Sequence, residues 1–207
     1  MREHISKRYP DDSIQGEEGA NQKGTSGRVW IIDPLDGTTN FLFGIPAWAI
    51  SIACQDTEGP LVGCVFDAKR KELFLASRNK GATLNGQQIQ VSTRNDLAHS
   101  LIATGFSYKS SLRRLQAQQL TSLIPYVRDI RRSGSAALDL AWVSCGRLDG
   151  FYESGLGAWD WAAGSLLVTE AGGSFKQTIS PHGLEQIVAA NSILGSKLEE
   201  LTTTALE

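Results

Sequence analysis

Five acids and one Gly-Thr pair carry most of the chemical potential of this 207-residue chain: Glu17, Glu18, Asp33, Asp36, Asp160, and Gly37-Thr38. Asp33 and Asp36 stand three residues apart in "WIIDPLDGTTNF", directly after an apolar run. Carboxylates that close repel, and three compensations are open: solvent, backbone donors at a turn, or a bound cation. Asp-Pro is a common turn, and Asp36 could cap a helix starting at Gly37. The alternative starts from "VWIID" (29–33), apolar enough to be a central strand. Asp33 would then emerge at the strand's C-terminal end, where open α/β sheets place ligand sites. Gly37, Thr38 and Thr39 would follow as a helix N-terminus, whose free N–H groups suit an anion. Carboxylates for a hard cation beside amides for a phosphate form a coherent pair. Taken alone, Glu17 and Glu18 in "GEEG" read as a solvated turn. Asp160 in "GLGAWDWAAG" falls in the first turn of a helix, where an acid complements the dipole. Trp159 and Trp161 beside it read as packing residues, and His4, His99 and His182 as solvated.

The elements that must position these groups follow from pattern. "VWIID" (29–33), "WAISIACQ" (48–55), "PLVGCVFD" (60–67) and "ELFLASRN" (72–79) have strand composition and turn residues at their ends. "FDAKRKELFLA" reads as a hairpin, and "GATLNGQQIQVS" as another that turns at Asn85-Gly86. Successive hairpins predict an antiparallel sheet. After about residue 98 the rhythm changes. "SLIATGF", "RDIRRSG", "LDGFYES" and "EQIVAAN" read as strands. They alternate with helices over "SSLRRLQAQQLTSLIPYV", "SAALDLAWVSCGRLDG", "AWDWAAGSLLVTEAGG" and "SILGSKLEELTT". Alternation of this kind predicts a mixed sheet with helices on its faces. The expected architecture is therefore α/β, with an antiparallel-sheet subdomain over residues 1–97 packed on a mixed-sheet α/β subdomain over 98–207. "MREHISKRYPDD" reads as the last turns of a helix followed by a turn at Pro10.

Composition narrows the function classes. Twenty basic and 22 acidic residues leave a net charge of -2, and no basic cluster exceeds "AKRK" or "IRRS". No nucleic-acid partner is expected on that basis. Cys54, Cys64 and Cys145 form no CxxC pair, which argues against a disulfide framework or a zinc knuckle. The N-terminus has no signal-type apolar region and no run reaches spanning length, so a cytoplasmic protein without a membrane segment is expected.

"IQGEEG", "WIIDPLDGTTNF" and "GAWDWAAGSLLVTEAGG", in this order, resemble the three signature segments of the inositol monophosphatase family. The resemblance continues through "GIPAWAISIA", "GCVFDAKRKELFLASRNKGATLNG", "RRSGSAALDLAWVSCGRLDGFYE" and "IVAAN", and so covers nearly the whole chain. The wording is nearest to the bacterial inositol-1-monophosphatase type. The resemblance implies the sugar-phosphatase fold, an αβαβα sandwich, and a lithium-sensitive phosphomonoesterase using two or three Mg²⁺. It implies that Glu17, Asp33 and the Leu35 carbonyl hold one ion, and that Asp33, Asp36 and Asp160 hold a second. Gly37 and Thr38 would bind the phosphate, and the Thr38 hydroxyl with Glu17 would orient the attacking water. Glu153 would bind substrate hydroxyls, and Gly134, Ser135 and Ala136 would line the ring. A homodimer is implied as well. Family members carry a further N-terminal segment, with a lysine-bearing loop and a "D-x-V-T-x-x-D" motif, ahead of the position of Met1. The sequence is expected to keep the direct ligands without it, and to leave one helix-packing face uncovered.

The chemistry of the residues agrees with that implication. Hydrolysis of a phosphomonoester needs an activated water, neutralised phosphoryl charge and a stabilised leaving alkoxide. Two cations roughly 3.5–4 Å apart, bridged by one carboxylate, can supply all three. The expected substrate is inositol monophosphate or a related small polyol phosphate. Fructose-1,6-bisphosphate, histidinol phosphate and a nucleotide 3′-phosphate are alternatives on the same scaffold. A bisphosphate would call on Arg131 or Arg132. From a different class comes an inert shortened form that acts as a binding partner.

Overall fold

The computed structural model describes residues 1–19 and 21–203. Two sheets and two helix pairs alternate as layers. The first sheet has strand order β1-β2-β3-β4-β5-β6-β7. Its strands are β1 (Ser13–Gly16), β2 (Val29–Asp36), β3 (Ala49–Asp56), β4 (Gly59–Asp67), β5 (Glu72–Ser77), β6 (Ala82–Leu84) and β7 (Gln87–Gln88). All neighbours from β2 onward are antiparallel, as the hairpin pattern predicts. The β6–β7 turn has positive φ at both Asn85 (49°) and Gly86 (81°), the geometry that a two-residue hairpin loop needs. β1 departs from the pattern. It pairs parallel to β2, with Gly16 opposite Ile32. Its four residues carry one buried side chain, Ile14, which is too little periodicity to read in advance.

The second sheet has order β11-β12-β10-β8-β9 and is mixed. β8 (Leu101–Thr104) is parallel to β9 (Asp129–Arg131) and to β10 (Gly150–Ser154). β12 (Glu185–Ala190) runs antiparallel to β10 and to the edge strand β11 (Ser174–Ile179). β11 is absent from the sequence expectation because "SFKQTI" has no buried residue and little apolar alternation.

Helices α4 (Ala136–Ser144) and α5 (Ala158–Glu170) fill the space between the sheets. On the first-sheet side their Ala137, Leu138, Ala163 and Leu167 join Ile31, Ala53, Val65 and Phe74 in one core. On the second-sheet side Leu140, Val143 and Val168 join Ala103, Phe151, Ile187 and Ala189. Helices α3 (Ser110–Leu123) and α6 (Ser192–Thr203) cover the far face of the second sheet, around Ile102, Leu123, Val188, Leu194 and Leu198. At the opposite extreme α1 (Arg2–Arg8) buries none of its residues and shares a groove with Ile14, Ile32 and Pro34. The layers thus run α1, sheet, α4–α5, sheet, α3–α6, the layered α/β fold that was expected. The first sheet spans 13–88 and the second 101–190, but α4 and α5 tie them together by packing on both.

Candidate active site

The strand carrying the paired acids does not stop at Asp33. β2 continues to Asp36, with its register against β3 shifting between Asp33↔Ser51 and Asp36↔Ala49. That irregularity matters, because residues three apart on a regular strand point to opposite faces. An extra residue at Pro34-Leu35 turns Asp33 and Asp36 to the same side. Pro34 has no N–H to lose from the ladder there. One oxygen each from Asp33, Asp36 and Asp160 lie within 4.8 Å of one another. Asp33 and Asp36 are buried, at 1% and 8% exposed.

Each acid is held by a specific donor. Asp33 Oδ1 accepts from the Leu35 N–H at 2.9 Å, an Asx turn that fixes the corner. Asp36 Oδ2 accepts from the Ser135 hydroxyl at 2.6 Å and from the Ala137 N–H at 2.7 Å. Asp36 therefore caps a helix, but the helix is α4, from the other half of the chain, and not one that starts at Gly37. Asp160 Oδ2 accepts from the Gly157 N–H at 2.7 Å at the start of α5. Its helix-terminal role and its place in the carboxylate cluster coexist. Glu17 follows β1 directly, and the Gly16↔Ile32 pairing sets it beside Asp33.

Gly37 has φ 94° and precedes α2 (Thr38–Leu42), a helix of five residues. A Cβ at Gly37 would stand 3.0 Å from the Ala47 carbonyl and 3.2 Å from the Gly134 carbonyl, so any other residue would be both crowded and strained at this positive φ. The Thr38 hydroxyl donates to the Leu35 carbonyl at 3.1 Å.

Glu17, Asp33, Leu35, Asp36, Gly37, Thr38, Gly134, Ser135, Ala136, Glu153 and Asp160 all line one cavity of about 280 Å³. Reading the sequence alone misses Asp139, Thr104, Ser154 and the Gly105–Tyr108 segment, which line it too. The nearest signal for Asp139 is its position one turn beyond Ser135 on the same helix. For the 105–108 segment the sequence offers none. Of the two arginines, Arg131 is turned to Asp129 at 2.6 Å, whereas Arg132 lines the cavity. Among the described residues Arg132 is the only cation that does so.

The electrostatics follow from burial among acids. Asp33 is pushed up to about 7 by burial and by the charges of Asp36 and Glu17, against its bond from Leu35. Burial likewise raises Asp36 to about 7, with Asp160 and Glu17 adding to it and the Ser135 and Ala137 bonds opposing. Asp160 also rises to about 7, from burial and the neighbouring Asp33 and Glu17. Deeper in, burial raises Asp139 and Glu153 to about 8, partly offset by Arg132. Asp139 accepts from the Ser133 hydroxyl at 2.5 Å. Converging hard oxygen donors that hydrogen bonds leave under-compensated fit a hard divalent cation.

The profile of the inositol monophosphatase family matches residues 1–207. The chain belongs to that family. It is 44% identical to the Nus factor SuhB of Xylella fastidiosa over 97% of this chain and 76% of that protein. The crystal structure of extragenic suppressor protein suhB from Bartonella henselae superposes with a TM-score of 0.90 at 38% identity, covering 99% of this chain and 80% of that one. The inositol monophosphatase from Anabaena superposes with a TM-score of 0.87 at 37% identity, covering 97% and 81%. Family membership makes Mg²⁺ the cation to consider, and the Asp33–Asp36–Asp160 cluster suits it.

Proposed function

We propose that this protein is a Mg²⁺-dependent phosphomonoesterase that hydrolyses inositol monophosphate or a related small polyol phosphate. The observation that carries the reading is the convergence of buried Asp33 and Asp36 with half-buried Asp160, none of them in an ion pair among the described residues, beside the Gly37-Thr38 corner. Glu17, Asp33 and the Leu35 carbonyl would hold one ion, and Asp33, Asp36 and Asp160 a second. Bound Mg²⁺ neutralises phosphoryl charge and makes a bound water more acidic. The Thr38 hydroxyl already spends its proton on the Leu35 carbonyl, which leaves its lone pairs to accept from the attacking water. Glu17 takes the other proton of that water. Gly37 and Thr38 receive the phosphate, Glu153 accepts from substrate hydroxyls, and Gly134, Ser135 and Ala136 shape the ring side. Asp36 couples the two, because the carboxylate that would hold the ion also holds the cap of α4. A homodimer in the cytoplasm, with a lithium-sensitive activity, goes with this reading.

Phosphate release from inositol monophosphate should require Mg²⁺, fall with lithium and drop by at least about 10²-fold in Asp33→Asn. Metal-independent release sinks the proposal. A panel that includes fructose-1,6-bisphosphate, histidinol phosphate and a nucleotide 3′-phosphate ranks the substrates. Of the two arginines Arg132 lines the cavity while Arg131 pairs with Asp129, so a bisphosphate reading would rest on Arg132.

A second reading is that of a binding partner. It is favoured by the name Nus factor on the Xylella relative and by the exposure of Leu42 and Phe43 on and just after α2, at 74% and 78%. On that reading, calorimetric titration with Mg²⁺ shows no phosphate-linked metal binding.

A further inference from the structure

One wall of the cavity is not built by acids. Residues Gly105 to Tyr108, between β8 and α3, run from the Glu153 side of the cavity to the α2 side. At one end the Gly105 backbone lies directly on Glu153, since a Cβ there would stand 2.1 Å from the carboxylate oxygen. At the other end the Tyr108 hydroxyl lies 3.4 Å from Thr39 Oγ1, next to Thr38. The middle is fastened from beneath. The Ser107 N–H donates to Gln116 Oε1 at 2.8 Å, and the Gln116 amide donates to the Ser154 carbonyl at 3.1 Å.

Gln116 is 4% exposed and is used at both ends. An N–H on one side and a carbonyl on the other fix the orientation of its amide without ambiguity. A primary amide of this length is the side chain that meets both demands. Ser154 directly follows Glu153 on β10, so the two bonds tie the segment to the strand that carries Glu153. Gln119, one turn along α3 and 2% exposed, bonds instead to Gln186 and to the Thr202 carbonyl, away from the cavity.

We propose that Gln116 is a positioning residue for substrate selectivity. By clamping Ser107 to Ser154 it fixes the wall that spans from Glu153 to the Gly37-Thr38 corner, and so fits the cavity to a phosphate ester that carries ring hydroxyls. This inference rests on the phosphatase reading above.

The test compares wild type, Gln116→Leu, Gln116→Glu and Gln119→Leu in saturating Mg²⁺. KM and kcat are measured for inositol monophosphate and for an aryl monophosphate without hydroxyls. Losing both bonds in Gln116→Leu should raise KM for the inositol ester about tenfold, with kcat changed less than about threefold. The aryl ester, which needs only the phosphate corner, should stay within about twofold in kcat/KM. Gln116→Glu keeps the acceptor for Ser107 but loses the donor to Ser154, and should fall between wild type and Gln116→Leu. Gln119→Leu removes comparable buried bonds from the same helix and should leave the ratio of the two substrates at its wild-type value. Should Gln116→Leu fail to fold, Gln116→Glu decides alone. Parallel losses on both substrates, no change on either, or the same selectivity shift in Gln119→Leu overturns the inference. A wild-type protein that hydrolyses neither ester overturns the phosphatase reading itself, and this inference with it.

Discussion

The protein buries acids in two kinds of place. Among the described residues three buried acids lie outside the cavity, and each has its own donors. Asp12 accepts from the Ser26 hydroxyl at 2.6 Å and the Trp30 indole at 2.8 Å. Asp67 accepts from the Lys69 and Arg70 N–H groups at 3.0 Å each and from the Arg70 guanidinium at 2.7 Å. Asp149 accepts from the Leu101 N–H at 2.8 Å and from Arg94 at 3.1 Å. Asp33, Asp36 and Asp160 also accept hydrogen bonds, yet these do not compensate them. The difference is mutual proximity without an ion pair to any of the three, since Arg132, the one cationic side chain that lines the cavity among the described residues, offsets Asp139 and Glu153 instead. A buried carboxylate with its own donors fastens the frame, whereas three that share one cavity leave a charge deficit for a ligand to fill.

The widest separation between the two groups should appear at Asp67. Asp67→Ala leaves two backbone N–H groups and a guanidinium without their acceptor. It should cost about 2–4 kcal/mol in urea unfolding while phosphate release per folded molecule is unchanged. A loss of activity without a loss of stability would erase the distinction.

The cavity acids should reveal themselves through pH. Their folded pKa values of about 7, and about 8 for Asp139 and Glu153, lie above the ordinary carboxylate value. Between roughly pH 4 and pH 8 the folded chain therefore binds more protons than the unfolded one, so its stability falls as pH rises. In chelator, the midpoint of thermal unfolding should drop from pH 5 to pH 8. Saturating Mg²⁺ should flatten that drop by binding the folded form alone. A flat profile in chelator breaks the comparison.

The smallest effect is expected at Asp12, whose donors are both neutral. Asp12→Asn keeps one acceptor oxygen and should cost about 1 kcal/mol, read from the same unfolding curves, with no change in catalysis.

Much of the frame was legible because its patterns are local. The hairpins announced themselves by β-branched runs and by Asn85-Gly86, and α3 by leucines at helical spacing that stop at Pro125. β1 and β11 were not legible, because these two edge strands carry one buried side chain between them and so show no apolar alternation. The strand ending expected at Asp33 runs on to Asp36, since a bulge is a property of two paired strands and not of one. The site followed the same division. The acids and the Gly-Thr pair could be named from motif, and Arg131 or Arg132 as a pair of candidates, whereas Asp139 became part of the cavity and Gln116 the support of its wall only once α4 and α3 were packed in place.

The sequence by itself determined which side chains could bind a cation and a phosphate, the types of the main elements, and, through its motifs, the family. Only the tertiary structure decided which acids lack compensation. That property depends on distance and burial: Asp33 and Asp160 are 127 positions apart in the chain, yet their oxygens come within 4.8 Å. Burial then makes that approach costly until something positive arrives, because the repulsion of like charges grows as water is excluded from between them.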